Sequence, residues 1–546
     1  MVDRNIPLRS RIRGRFLVLL IAALLPIGCA TAQEDNQDAT AVEDVPAVEA
    51  VGNVHFETSC VPAVGAQFDR AVALLHSFWF PVAIEAFNDV LIQDPNCSIA
   101  YWGIALSQWG NPFAGGPSPD TVQGAWENVQ TGLGVGDRTQ RESDYLSAAG
   151  ALYEEGTLVD QRTRTLNYVS AMEQLTEIYP DDSEARIFYA LSLTATALPT
   201  DKTYGNQLQA AAILEVEFEE QPDHPGIAHY IIHSYDHPPL ASRGLSAARR
   251  YASLAPSIPH ALHMPSHIFT RVGDWEASIA TNIRSAETAL RTNTIGSALH
   301  AFDYLTYAYL QTAQDEAAMD ILGEASSLGA ANPFAVAAIP ARFAIEREAW
   351  LEASELEVVP APSTPQAEAM TRFVRAMGFA RIGDAVAAQA EVAELDQLRA
   401  ALVEMNDAYW AEQVAIQWLG ASAWSLWAQG ENEEALALLR SAARREDATD
   451  KSPSTPGPLK PAREQLGELL LELENGELAL VEFEATMNKE PNRFRAIYGA
   501  ASAAQLSGDV TKAEQYYVRL LEISEDADTE RPELDEARQA TTPDAG

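Results

Sequence analysis

The sequence predicts an all-α protein, a solenoid of stacked helix pairs, and three observations carry that expectation. At 546 residues the chain exceeds the size at which a single core stops growing, so it divides into domains or repeats. From about Val64 onward apolar residues recur at spacings of three and four, with Gly, Asn or Pro at the breaks, the period of amphipathic helices. The third observation is a 34-residue internal period. Residues 460–491 show it most cleanly, with Leu466, Gly467, Ala479, Phe483 and Pro491 at repeat positions 7, 8, 20, 24 and 32. The unit from Phe494 has Gly508, Ala513 and Tyr517 at 15, 20 and 24, and the unit from Ile416 has Ala423, Gly430 and Ala435 at 8, 15 and 20.

These residues resemble the tetratricopeptide repeat, over roughly residues 64–523. The resemblance implies a right-handed superhelix of helix pairs whose first helices line a concave groove. Small residues at 8 and 20 let two helices approach, a large one at 24 fills the gap, and each pair stacks on the next. The pattern is strong in units starting near 259, 369, 416, 460 and 494, weaker near 64, 98, 183 and 225, and poor over 120–180 and 328–360.

In chain order, residues 1–32 have the layout of a secretory signal: five arginines, the apolar run 16–27, then small residues. Ala30-Thr31-Ala32 suits cleavage before Gln33. Alternatively, Pro26-Ile27-Gly28-Cys29 resembles a lipoprotein signal, which would put a lipid anchor on Cys29. Either processing predicts an exported protein of the bacterial periplasm or cell envelope, with no transmembrane span once mature. Residues 33–53 hold six acids and no basic residue, the composition of a disordered tether. An N-terminal array covers 54–327, an irregular helical connector 328–365 and a C-terminal array 366–523. Pro and Gly mark loops at 111–119, 358–365 and 447–458. The acidic stretch 524–546 is expected to be a disordered tail.

The formal charge of −41 repels nucleic acid and anionic lipid, so the partner expected in the groove is a protein, peptide or small molecule. Plain cleavage would leave two cysteines, Cys60 and Cys97. In an oxidising compartment an even pair suggests one disulfide, and two buried free thiols are the alternative.

The most informative stretch is 224–307, which holds eight of the ten histidines. In the unit from Pro225, His229, His233, Asp236 and His237 fall at positions 5, 9, 12 and 13. In the unit from Pro259, His260, His263 and His267 fall at 2, 5 and 9. In the unit near Leu299, after a six-residue insertion, His300, Asp303 and Tyr307 fall at 2, 5 and 9. The resemblance makes these the positions that face the groove. Stacked first helices lie roughly 10 Å apart, so imidazoles and carboxylates from three of them can converge as a transition metal requires. The predicted ligands are His229, His233, His237, His260, His263, His267, His300 and Asp303, enough for one or two ions of zinc, iron, copper or manganese. Pro265 raises the expectation of a helix start there, which would leave His260 and His263 on an entering loop.

Asp236 and Tyr307 are candidates for acid–base work, and Arg271 and Tyr307 for groove contacts. His224 is the weakest member of the set, His76 suits a core or rim role, and His55 is assigned none. There is no HExxH motif. Lys460, Arg463, Arg493 and Arg495 form a basic island that could be a second contact surface, with a solvated face as the alternative. Three functions follow: a groove that binds a partner beside a metal site, a metal-dependent hydrolase or oxidoreductase using that site, and a metal-free peptide scaffold.

Overall fold

A computed structural model describes residues 50–136 and 138–542. The signal, Cys29 and all but the end of the tether lie outside the described residues. Among the described residues every regular element is a helix, and none is long and apolar enough to cross a membrane. Each helix packs on its chain neighbours, and first helices also touch the first helices one pair away. This is a solenoid of helix pairs.

The close approach inside a pair rests on absent side chains. A Cβ on Gly103 would sit 2.3 Å from the Phe87 ring, and one on Gly467 2.9 Å from Phe483. The same Phe483 ring lies 2.3 Å from where Gly499 would place a Cβ, so one aromatic side chain is wedged between two successive first helices. Turns within pairs repeat a second device. Gly273, Gly383 and Gly508 adopt positive φ at the end of a first helix, and Asp274, Asp384 and Asp509 then cap the second by accepting from Ala277, Ala387 and Lys512 N–H.

Three boundaries differ from expectation. The end of the tether is docked: Val51 is buried and Asn53 N–H donates to Asp223 O at 3.0 Å. The expected irregular connector is another helix pair, Pro333–Glu346 and the short Trp350–Glu355. The acidic tail forms helix Pro532–Thr541, because Leu534 and Ala537 give it an apolar face that closes the last core. Arg531, just before it, pairs with buried Asp315 at 3.0 Å.

The solenoid also returns on itself. Trp275 Nε1 donates to Asn492 O at 2.9 Å, Asn492 Nδ2 donates to Gly273 O at 2.9 Å, and Phe494 N donates to Gln311 Oε1 at 3.0 Å. Turns of the central units thus rest on the C-terminal units. The loop expected at 447–458 is accordingly largely interior: Thr449, Asp450 and Thr455 are buried. We refer to residues 448–461 as the strap. Asp450 N–H donates to Pro199 O at 3.0 Å, and Glu446 Oε2 accepts from Ala462 N–H at 2.8 Å, joining the strap's two ends. Cys60 and Cys97 form a disulfide, with Cα atoms 4.8 Å apart.

Two stability predictions follow from these contacts. Gly499→Ala should lower stability by about 1–3 kcal/mol in urea unfolding, and Phe483→Leu in the same chain should restore part of it. Burial pushes the Glu446 carboxyl up to about 7, against the attraction of Lys489. The folded chain therefore keeps a proton that the unfolded chain sheds near its ordinary value of 4.5, and stability from this group falls as pH rises from 4.5 to 7. Glu446→Gln should be more stable than wild type above pH 7, by on the order of 3 kcal/mol, and the gain should vanish below about pH 4.5.

Candidate metal centre

The first two histidines stand on helix Pro225–Tyr235, which His224 caps by accepting from Ile227 N–H at 3.3 Å, with Pro225 in the first turn where its missing N–H costs nothing. His229 and His233 are one turn apart on it and are buried. The next first helix is built from Pro259–His263 and Pro265–Val272, but Met264 between them keeps helical dihedrals of −53° and −36°. Met264 N–H still donates to His260 O at 2.9 Å. The expected entering loop is therefore absent, and His260, His263 and His267 follow one another along a single helical path. His300 lies on the next first helix, Ile295–Gln311.

These six histidines form two trios, each with three ring nitrogens within 4.8 Å of one another. In the first, His229 Nε2 is 3.1 Å from His233 Nε2 and 3.1 Å from His260 Nε2. In the second, His263 Nε2 is 3.0 Å from His267 Nε2, and the His300 ring lies 4.4 Å from that of His263. The trios adjoin: the His233 and His267 ring centres are 6.2 Å apart, and those of His260 and His263 6.4 Å. Each trio takes positions 5 and 9 of one first helix and position 2 of the next.

The other nitrogens of these rings decide what the trios can hold. His267 Nδ1 donates to Asp236 Oδ2 at 2.9 Å, and a carboxylate only accepts. His263 Nδ1 donates to Asn282 Oδ1 at 2.7 Å, and the amide is oriented by Asn282 Nδ2 donating to Ser278 O at 2.8 Å. His229 Nδ1 donates to the His76 carbonyl at 2.7 Å. With their protons on Nδ1, His263 and His267 present two Nε2 lone pairs to each other at 3.0 Å. Two lone pairs at that distance repel, and a cation between them turns the repulsion into ligation. Carbonyl, amide and carboxylate acceptors behind imidazoles are the usual support of metal-bound histidine.

Burial, reinforced by neighbouring rings, holds His229, His233, His260 and His263 well below the ordinary histidine value and takes His300 down to about 3. His267 is also lowered by burial, in part against Asp236. All six are neutral bases near pH 7. Burial would raise Asp236, but Lys451 and Arg271 outweigh it and hold the carboxyl ionised. Their contacts to it are 3.1 Å and 2.9 Å. Burial in turn lowers Lys451 to about 8.

A cavity of about 720 Å³ opens beside the trios, walled by His233, His260, His263, His267 and His300 on one side and by the strap, Tyr409 and Trp410 on another. Aromatic rings back the first trio: Phe113 stacks on His233 at 3.9 Å, Phe78 on His260 at 5.5 Å and Tyr251 on His229 at 5.2 Å.

Other expected site residues lie elsewhere. His237 falls beyond the end of its helix at Tyr235, so the one-turn spacing is lost, and its Nδ1 meets Asp450 Oδ2 at 3.1 Å on the cavity rim. Asp303 is fully buried and accepts from Arg342 Nε at 2.7 Å, so it neutralises a neighbouring unit's cation instead of joining a trio. Tyr307 is core, between Trp275 and the Arg342 and Arg493 guanidinium groups, and does not reach the cavity. Arg271 is buried against Asp236 and lines a second, smaller cavity with Tyr409 and Lys460, not the one walled by the histidines. Asp236 supports His267 and does not itself face the trios' Nε2 atoms. His224 belongs to a third buried group, in which the two oxygens of Glu184 accept from His224 Nε2 and His76 Nε2 at 2.9 Å each. His55 is exposed near Asp69.

The basic island is largely engaged in internal ion pairs, and Lys460 and Arg463 also line the smaller cavity. Arg493 pairs with Glu346 and Glu464 at 2.6 Å each, Lys460 is buried beside Glu464, Arg463 meets Asp447, and Arg495 donates to Glu346 O.

The repeat register does not single out Asn282, Tyr304, Lys451 or the Phe78 and Phe113 rings. Asn282 stands on a second helix, outside the first-helix positions that the register selects. Tyr304 follows His300 by one turn, a legible signal, and its hydroxyl donates to Thr455 O at 3.2 Å on the strap.

No family model matches this chain, and no curated protein does. Among solved structures, similarity extends to the Cut9–Hcn1 hetero-tetramer of the APC/C, at 12% identity over 88% of this chain and 76% of that one, with a TM-score of 0.34. A monomeric IFIT1 mutant with Gppp-AAAA gives 11% identity over 82% and 95%, with a TM-score of 0.36. The human IFIT1 dimer with m7Gppp-AAAA gives 10% over 83% and 95%, with a TM-score of 0.35.

Because Asp303 serves Arg342, Asp303→Asn should leave metal content at the wild-type level while costing roughly 3–5 kcal/mol in urea unfolding. A loss of metal with unchanged stability would contradict the placement of Asp303 outside the centre.

Proposed function

We propose that this chain is an exported bacterial helical-repeat protein that holds two transition-metal ions, one in each histidine trio, and binds a small molecule beside them in the internal cavity. The observation that carries this reading is the convergence of the His263 and His267 Nε2 lone pairs at 3.0 Å, with both Nδ1 protons committed to acceptors. An ion at about 2.0–2.1 Å from each nitrogen fits that separation.

Three protein ligands per ion favour a working site over a structural one, because structural sites close with four. A ligand-sized cavity beside the trios supports the same conclusion. The strap occupies the space where a peptide would lie across the central first helices, which favours a small molecule over a peptide. Asp236, Asn282 and the His76 carbonyl act by keeping protons on Nδ1 and aiming Nε2 at the ion. Export is supported by the basic-then-apolar N-terminal run and by the Cys60–Cys97 disulfide, which suits an oxidising compartment.

One observation favours the enzymatic form of this reading, a metal-dependent hydrolase or oxidoreductase. Lys451 lines the same cavity, and its ammonium is brought to about 8, within reach of proton exchange near neutral pH.

Metal analysis of protein purified without a histidine tag should find two ions per chain. His229→Ala and His263→Ala should each remove one, and Asn282→Ala should weaken binding about 10- to 100-fold while leaving the stoichiometry reachable at higher metal. No stoichiometric metal in wild type, or unchanged binding in both histidine variants, would sink the proposal.

A further inference from the structure

We propose that the two trios are a site for copper in its monovalent state, a Cu(I) pair whose open positions take a small uncharged ligand. The inference rests on the two-ion reading above and adds the identity and charge of the ions.

Donor chemistry narrows the field first. Each trio is three imidazole nitrogens, and among the described residues no cysteine, aspartate or glutamate joins either of them. Magnesium, calcium and manganese prefer oxygen, so an all-nitrogen set disfavours them. Zinc, copper, iron and nickel remain.

Charge then separates these. The imidazoles are neutral, and His229, His263 and His267 are almost completely buried. The carboxylate in hydrogen-bond contact with these rings is that of Asp236, on His267, and it already faces two cations, Arg271 and Lys451. Two divalent ions would bring four positive charges into this pocket with no anionic ligand, and uncompensated buried charge is among the costliest arrangements in a protein. Two monovalent ions halve that charge and cut the repulsion between them about fourfold, since it scales with the product of the charges. Of the metals that imidazole suits, copper is the one with a stable monovalent ion.

Coordination number and surroundings agree. Three nitrogens satisfy Cu(I), whereas Zn(II) seeks a fourth donor. Phe78, Phe113 and Tyr251 stack against the first trio. At the first trio those rings favour a low-charge ion and a neutral ligand over a hydrated divalent one.

The test is an anaerobic titration of the full tagless chain with Cu(I) in the presence of a competing Cu(I) chelator, in parallel with Zn(II) and Fe(II) against chelators of matched strength. Two Cu(I) per chain should be retained while Zn(II) and Fe(II) are lost. Carbon monoxide, used as the neutral probe, should add to the copper-loaded chain and give an infrared band that is missing in His229→Ala/His263→Ala. If that double variant does not fold, His260→Gln and His300→Gln, at the less deeply buried member of each trio, take its place, and each should release one copper. Retention of two Zn(II) or Fe(II) with loss of Cu(I) overturns the copper inference and leaves the two-ion reading standing. A copper-loaded chain that takes up no carbon monoxide overturns the open position. Failure of every metal to bind overturns both.

Discussion

Everything at the centre depends on how neighbouring first helices lie against each other. Positions 5 and 9 of one helix must come within ligand distance of position 2 on the next, and that happens twice in succession. The first trio, His229, His233 and His260, becomes the second, His263, His267 and His300, by moving one repeat along the chain. A repeat architecture makes such duplication easy, because any local geometry recurs wherever the residues recur. It also makes it exacting, since a small change in helix separation would shift all three nitrogens of a trio. The wedge of an aromatic ring against glycine, as at Phe483 between Gly467 and Gly499, shows how this fold keeps helix separation short and constant.

Much of this is legible in the amino-acid sequence. The 34-residue period reveals the helix pairs, and registering the histidines against it places them on adjoining first helices. What the register does not supply is where each helix stops. It sets His237 one turn beyond His233, but helix Pro225–Tyr235 ends before that residue. Pro265 signals a break that the backbone absorbs by resting at the start of a new helical segment. Asp303 occupies the right position in its unit, yet Arg342, on the first helix of the next unit, claims it. These are outcomes of tertiary competition, which spacing alone does not encode. The strap is hidden for another reason. A Pro- and Ser-rich loop has the composition of a solvent-exposed linker, and only the return of the solenoid on itself buries it.

The charge of −41 has a structural counterpart. The chain has few cations, and many of them are inside: Arg271, Arg342, Lys451, Lys460, Arg493, Arg495 and Arg531 are all buried. Each meets a carboxylate inside the molecule, so these cations do not offset the acids of the surface. Buried ion pairs of this kind contribute little net stability, because desolvation offsets attraction, but losing one partner is expensive. They bind the central units, the strap and the last helices into one arrangement, and Arg493, held between Glu346 and Glu464, joins three helix pairs.

The strap carries one more consequence, in the order in which the molecule is made. Both trios are complete once the chain has been synthesised through His300, but Lys451 and the strap that cover them belong to the opposite half. A chain emerging from its N-terminus therefore passes through a stage at which the histidine wall can form and its cover cannot. In the finished protein the cavity lies between those histidines and the strap. Refolding from the full-length unfolded chain has no such interval, since the strap is present from the outset.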